Sequence, residues 1–480
     1  MSKRRESSLD DVMNELGQFN TYQLRLFLIL LPFNLSSSFY IIFVMFLNQS
    51  PSWYCNDPVS KGSKWNQLCE EDWAINILLS IAFVGAMFGS YFFGYFADKY
   101  GRMPMYLFGV VSLEVLSLCL GVFYGNYCLF AVYILLCGFS MQGTYQVSFV
   151  LLLEFVGQDK RTLISTLITL CGTLGYILTP LVAFLVPNHR VLYLSLSVVY
   201  IGILLTYSLV PESPRWLLLT RQHSKLKALL DQIATINGTQ YSTLTFSKLS
   251  SHGSSTEQST CLTSIGMFTK PIIRSRIYIS SFVWFVVCSS YYGLSYSAKL
   301  LDGSIHMNVF LGGVVEFPSI MLAYLLLQYK GRRISLAIMT LIISFCTFGS
   351  VLSSFFNFER ELILFTLSAK CFVSGTFLIL YIYTLELLPT SVRTIGLGVC
   401  SVFARIGGIS VPVVLAALPD RIYVFLYFSV ITLLAVLVLL LLPETRGIPM
   451  PDSIEQLISQ ETYTSKISSQ LVHLENSDND

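Results

Sequence analysis

Charged side chains are scarce in this sequence: Asp, Glu, Lys and Arg make up 12% of its 480 residues, against 54% hydrophobic ones. With a mean hydropathy of +0.65, too few polar groups exist to cover a water-facing surface, so the composition indicates an integral membrane protein. A net charge of +2 supplies no overall field for a nucleic-acid partner. Catalytic patterns are missing too. No Gly-rich loop ends in Gly-Lys-Ser/Thr to cradle ATP phosphates, and no Gly-x-Ser-x-Gly elbow presents a nucleophile. The five histidines, His189, His223, His252, His306 and His473, show no spacing that puts two metal ligands on one helix face. Neither an enzyme nor a metal or cofactor protein is expected. The N-terminal stretch mixes charges of both signs and lacks a short apolar region before a small-residue cleavage site, so it reads as no removable signal peptide.

What the chain has in quantity is apolar runs of about 20 residues, the length that crosses a ~30 Å hydrocarbon core. They fall near 25–47, 74–97, 103–123, 128–152, 162–186, 191–210, 277–297, 306–328, 334–357, 362–385, 394–417 and 422–442. Twelve transmembrane helices in an all-α membrane protein are therefore expected. Lys and Arg concentrate in alternate connections, among them Lys99, Arg102, Lys160, Arg161, Lys330, Arg332, Arg333 and Arg393, which places those connections and both termini in the cytoplasm.

The charged and proline-rich punctuation occurs twice. Asp98-Lys99-Tyr100-Gly101-Arg102 is answered by Gln328-Tyr329-Lys330-Gly331-Arg332 at an offset of 328 − 98 = 230. Glu154 with Arg161 returns as Glu386 with Arg393, and Pro211-Glu212-Ser213 as Pro443-Glu444-Thr445, both 232 residues on. Gly175 and Pro180 return as Gly407 and Pro412. A duplicated half of this length in so apolar a chain is the pattern of a two-bundle secondary transporter. The expected layout is a cytoplasmic segment 1–24, a six-helix bundle 25–210 with an outer loop 48–73, a cytoplasmic linker 211–276, a second bundle 277–442 and a cytoplasmic tail 443–480. Within the linker, Pro214 to Ile236 has helical periodicity with Arg221, Lys225 and Lys227 on one side, suiting a helix on an anionic leaflet.

The repeated charges suggest a gate. Glu154, Arg161, Glu386 and Arg393 bracket the inner ends of successive spans, where they can cross-pair in one state and part in another; Asp98 with Arg102 adds a further contact, which Gln328 beside Arg332 does not match. A role in topology and helix docking is the alternative. Arg405 lies twelve residues beyond Arg393, about 18 Å above the inner surface. So deep an arginine faces a cavity or a counter-charge, and either a substrate or a pair with Glu316 or Glu114 would serve. Gly407, Gly408 and Pro412 allow its helix to bend or unwind. Lys370, sixteen residues before Glu386, stands in the outer half of its span, where it either meets substrate or snorkels outward. Glu316 suits the positive end of a zwitterion, a coupling proton or a basic neighbour. Trp284, Tyr291, Tyr292 and Tyr296 on one span, with Tyr381 and Tyr383 below Lys370, are candidates for an amphipathic cavity wall. Together, two buried cations argue for an anion or a zwitterion bearing a carboxylate.

Most of the eleven cysteines are scattered singly in apolar spans, but Cys55 and Cys69 share the outer loop and are a candidate disulfide. Asn48-Gln49-Ser50 is a glycosylation sequon at the same face, followed by Pro51.

From Leu9-Asp10-Asp11 through Pro51-Ser52-Trp53-Tyr54-Cys55 to Gly447-Ile448-Pro449-Met450-Pro451-Asp452, the chain resembles the organic ion transporters of solute carrier family 22, within the major facilitator superfamily. The more specific stretches are Pro211-Glu212-Ser213-Pro214-Arg215-Trp216, Tyr291-Tyr292-Gly293-Leu294-Ser295, Val315-Glu316-Phe317-Pro318 and Glu386-Leu387-Leu388-Pro389-Thr390-Ser391-Val392-Arg393. The resemblance implies a major facilitator fold in a plasma membrane, working on a small organic ion, with a coupling ion or counter-substrate. Family members that take organic anions or carnitine carry a lysine where Lys370 stands and an arginine where Arg405 stands, so anion or zwitterion transport is implied. Two departures stand out: the outer loop is shorter than usual in the family, and Cys400-Ser401 and Ile406-Gly407-Gly408-Ile409 look more like the cation branch. An organic cation carrier, with Arg405 neutralised by Glu316, and a non-transporting receptor or sensor on the same fold are the alternatives.

Overall fold

The computed structural model describes residues 9–46, 73–122, 127–157, 160–186, 189–242, 270–389, 393–418 and 420–446. Asn48, Cys55, Cys69 and the tail after Arg446 lie outside the described residues.

Described residues form sixteen α-helices. A short α1 (Leu9–Glu15) precedes the first six long helices: α2 (Thr21–Phe46), α3 (Trp73–Tyr100), α4 (Arg102–Val122), α5 (Tyr127–Glu154), α6 (Arg161–Leu185) and α7 (His189–Leu205). Two short helices follow, α8 (Pro214–Leu219) and α9 (His223–Asn237). The second half holds α10 (Pro271–Tyr296), α11 (Ile305–Val314) and α12 (Glu316–Tyr329), α13 (Arg332–Phe355), α14 (Glu359–Leu387), α15 (Arg393–Ala417) and α16 (Arg421–Leu439). Ten helical segments among the described residues, with α11 and α12 counted as one, are long and apolar enough to cross a membrane. Buried side chains divide into two clusters that largely follow the halves, one around Phe33, Phe93 and Ile134, the other around Met339, Ile379 and Phe425.

Local chemistry explains where helices start and stop. Gly101 turns the chain between α3 and α4 at φ +111°, a conformation that costs a side-chain-bearing residue strain. Val315 interrupts the eighth span because Pro318 supplies no N–H for the turn behind it, and this leaves Glu316 as the first residue of α12. A carboxylate there is favoured by the positive end of the helix dipole. Ser213 caps α8 by accepting from the Arg215 and Trp216 amides at 3.2 and 3.3 Å, with Pro214 at its first position.

The linker departs from the expectation. Arg221, at φ +57°, breaks the predicted helix into α8 and α9, and the apolar stripe Leu226, Leu230 and Ile233 is buried against protein rather than turned to a leaflet. It packs beside α2 and α8, and the same cluster holds Val12 and Met13 of α1 and Leu16 just after it. Asn237, the last residue of α9, ties it to the turn after α1 and to the start of α2, donating to the Leu16 carbonyl at 3.0 Å and accepting from the Tyr22 amide at 2.9 Å.

Candidate substrate site

A central cavity of about 260 Å³ lies between the halves, walled by α2, α5 and α6 from the first and by α10, α12, α14 and α15 from the second. Its lining mixes hydroxyls with aromatic rings: Ser37, Ser38, Thr169 and Thr173 on one side, Tyr291, Tyr292, Ser295 and Phe377 on the other. Arg405 and Glu316 also face it. Such a space accepts an amphipathic molecule of modest size.

Arg405 is partly exposed into this cavity. No carboxylate pairs with it among the described residues, and its buried Nε has no hydrogen-bond partner. Helix α15 runs unbroken through Gly407, Gly408 and Pro412, so the expected unwinding does not occur. The two glycines instead permit close packing, Gly407 on the Phe285 backbone of α10 and Gly408 on the Phe83 ring of α3.

Glu316 has another partner. Lys370 Nζ lies 3.0 Å from Glu316 Oε1, with both side chains almost fully buried, and donates a 2.6 Å hydrogen bond to Ser295 Oγ. The same ammonium sits 3.3 Å from the centre of the Tyr291 ring and 5.0 Å from that of Tyr176. Lys370 therefore does not snorkel, and Glu316 does not neutralise Arg405. Thr173 donates to Glu316 Oε2 at 3.1 Å, a hydrogen bond from the first half to the second.

Toward the basic end the cavity rests on rings. Trp284 donates to Thr384 Oγ1 at 2.9 Å and meets Phe377 and Tyr381 edge-on at 5.3 and 6.0 Å. Tyr381 in turn meets Phe149 from the first half at 6.0 Å. On the opposite side the halves touch through Ser80, which donates to the Ile409 carbonyl at 3.3 Å, and through Phe83 against Tyr292 at 4.6 Å.

At the basic end, Arg102 and Arg332 pair with carboxylates of their own halves. Arg102 contacts Asp98 at 2.9 Å and Glu154 at 3.3 Å; Arg332 contacts Glu386 at 3.0 Å. Glu154 and Glu386 are within reach because Arg102 and Arg332 begin helices whose neighbours end at Glu154 and at Leu387, one residue past Glu386. Glu154 and Glu386, expected to cross-pair with Arg161 and Arg393 in one state, here contact Arg102 and Arg332; the Arg393 side chain lies outside the described residues. Glu212 accepts from the Arg102 and Met103 amides at 2.9 and 3.3 Å, and Glu444 from the Arg332 and Arg333 amides at 2.7 and 3.2 Å. Each repeated Pro-Glu thus caps the helix that follows the repeated Gly-Arg. Burial pushes the Glu212 carboxyl above the usual carboxylate range, opposed by those backbone donors.

Residues 56–454 match the family described as sugar (and other) transporter. The human organic cation/carnitine transporter 2 is 32% identical over 405 residues, covering 82% of this chain and 71% of its own. A Xenopus laevis solute carrier family 22 member 15-like protein is 32% identical over 414 residues, covering 84% and 83%. The chain belongs to solute carrier family 22. As a member of that family it is a secondary transporter, not an enzyme, and a multi-pass membrane protein for which a plasma-membrane location is consistent. The fold is that of the major facilitator superfamily: the proton:xylose symporter XylE bound to 6-bromo-6-deoxy-D-glucose superposes with TM-score 0.69 at 16% identity, over 91% of this chain and 99% of that one.

In this family member the cavity gathers Arg405, Glu316, Tyr291 and Tyr292 as lining residues, with Lys370 behind Glu316. Trp284 and Tyr381 belong to the ring floor instead. Sequence reasoning missed Tyr145, Thr173 and Tyr176, all contributed by the first half. A signal for two of them was available: Tyr145 and Thr173 stand 232 residues before Phe377 and Arg405, which line the same cavity (377 − 145 = 405 − 173 = 232).

Proposed function

We propose that this transporter carries small amphipathic organic anions or zwitterions by alternating access. The observation that supports this is the charge balance of the cavity. Lys370 and Glu316 cancel, which leaves the Arg405 guanidinium as a positive charge without a carboxylate among the described residues. An organic cation about 5 Å away would meet a repulsion of roughly 3 kcal/mol at an effective dielectric of 20. A carboxylate placed there instead receives the Nε–H of Arg405, and its apolar body rests against Tyr145, Tyr292 and Phe377. The positive end of a zwitterion has tyrosine faces and the Glu316 carboxylate within the same cavity.

In this reading Arg102 with Asp98 and Glu154, and Arg332 with Glu386, hold each bundle rigid at the basic end while the bundles rock; Arg161 and Arg393 belong to the same gating group. A coupling ion or counter-substrate drives net flux. The names of the relatives favour a second reading, organic cation transport. It requires Glu316 to leave Lys370.

Uptake of labelled anions, carnitine-like zwitterions and cations into proteoliposomes, with Arg405→Ala and Lys370→Ala alongside, tests the proposal. Anion or zwitterion flux that Arg405→Ala removes supports it. Cation flux indifferent to Arg405 sinks it, and binding without flux of any class favours a sensor.

A further inference from the structure

A second buried carboxylate lies away from the cavity. Glu114 stands twelve residues beyond Arg102 on α4, about 18 Å from the basic end. It is only 8% exposed, and its Oε2 has no hydrogen-bond partner. The duplication shows what is unusual here. Adding 230 to 114 gives Ser344 on α13, and adding 232 to 197 gives Ser429 on α16. In the second half those serines close the helix seam reciprocally, Ser344 Oγ donating to the Ser429 carbonyl at 3.0 Å and Ser429 Oγ to the Ser344 carbonyl at 3.2 Å. In the first half Glu114 takes the place of Ser344, and Ser197 Oγ, on α7, lacks a partner. Less than one turn along, the Tyr200 hydroxyl also lacks one and lies within electrostatic reach of Glu114 and Cys137.

We propose that Glu114 is a proton-binding site of the first bundle, distinct from the substrate cavity, that takes up and releases a proton during transport. An ionised carboxylate at this depth needs a counter-charge, and no lysine, arginine or histidine pairs with Glu114 among the described residues. The titratable groups facing it are Tyr200 from α7 and, past it, Cys137 from α5. On α3 the titratable side chains Tyr91, Tyr95, Asp98, Lys99 and Tyr100 come in the last ten residues, with the three tyrosines exposed; the described side chains of α2 bring Tyr22 and Arg25, one and four residues from its start. Hydroxyl groups suit a proton site because they serve both of its states. A hydroxyl can accept from a neutral acid and, after rotation, donate to a carboxylate, and Ser197 and Tyr200 are the unpartnered hydroxyls of α7, which packs on α4.

The inference rests on the chain being a transporter but not on the class of its cargo. Uptake of a fluorescent aromatic monocarboxylate, a carnitine-like zwitterion and an organic cation is measured across imposed pH gradients. The comparison covers wild type, Glu114→Gln, which mimics the protonated acid, and Glu114→Ser, which installs the serine pair of the second half. Wild-type flux of whichever substrate moves should follow the gradient, approaching tenfold per pH unit on the steep part of a single-site titration, about the limit for one group. Both variants should bind that substrate yet lose the response. An unchanged response in the variants, or a wild type driven by sodium and indifferent to pH, overturns the proposal. Should no substrate move, infrared difference spectra of the purified protein decide: a protonated-carboxyl band that shifts with pH and disappears in Glu114→Gln supports it, and identical spectra refute it.

Discussion

Lys370 Nζ lies 3.0 Å from the Glu316 carboxylate, and this pairing leaves Arg405, at the cavity wall, without a carboxylate partner among the described residues. A pair so well buried gains little over an apolar substitute of the same volume, but losing one member strands the other. Glu316→Gln or Lys370→Met alone should each cost about 3–5 kcal/mol. The double variant Glu316→Gln/Lys370→Met should cost clearly less than the sum. Thermal unfolding of the purified protein without substrate completes the cycle, and simple additivity would show that the two groups do not interact.

Arg405 should separate charge from shape. Arg405→Lys keeps the charge but loses the planar fork, so anion uptake should persist with a raised KM, whereas Arg405→Ala should remove it. Equal loss in both variants would mean that geometry, rather than charge, is what the cavity requires.

The two repeated glycines are retained for different reasons. Gly101 needs its φ of +111°, and a Cβ there would also strike the Glu212 side chain. Gly331 sits at φ −73°, where any residue is allowed, and a Cβ would meet only the Glu444 side chain. Gly101→Ala should therefore cost about 1–3 kcal/mol from backbone strain alone, while Gly331→Ala should be rescued by shortening its neighbour, Glu444→Asp. Melting temperatures of the three variants check this order.

Glu212 predicts a pH dependence. Its folded-state carboxyl is raised by burial above its unfolded value, so the folded protein holds that proton more tightly. The resulting stabilisation is full below the unfolded carboxyl pKa and fades as pH rises through the raised one. Glu212→Gln should flatten stability across that window, as read by unfolding at stepped pH, and should leave the alkaline limb unaffected.

The family was legible through the resemblance of its motifs; the apolar spans and the duplication were legible from residue type and spacing, because an apolar run of fixed length suits a helix across the bilayer and glycine, proline and charge mark its ends. Arg405 was legible for the same reason: an arginine that deep has few places to go. Sequence could not choose its neighbours. Whether Glu316 answers Arg405 or Lys370 depends on how α12 rotates against α14 and α15, which side-chain packing across the bundle decides. The same holds for Glu154, which meets Arg102 because their helices adjoin at the basic end, and for α9, whose apolar stripe is buried in the core cluster of the first half. Position along the chain determined which charges lie buried; only the packing of helices from distant parts of the chain decided which of them cancel.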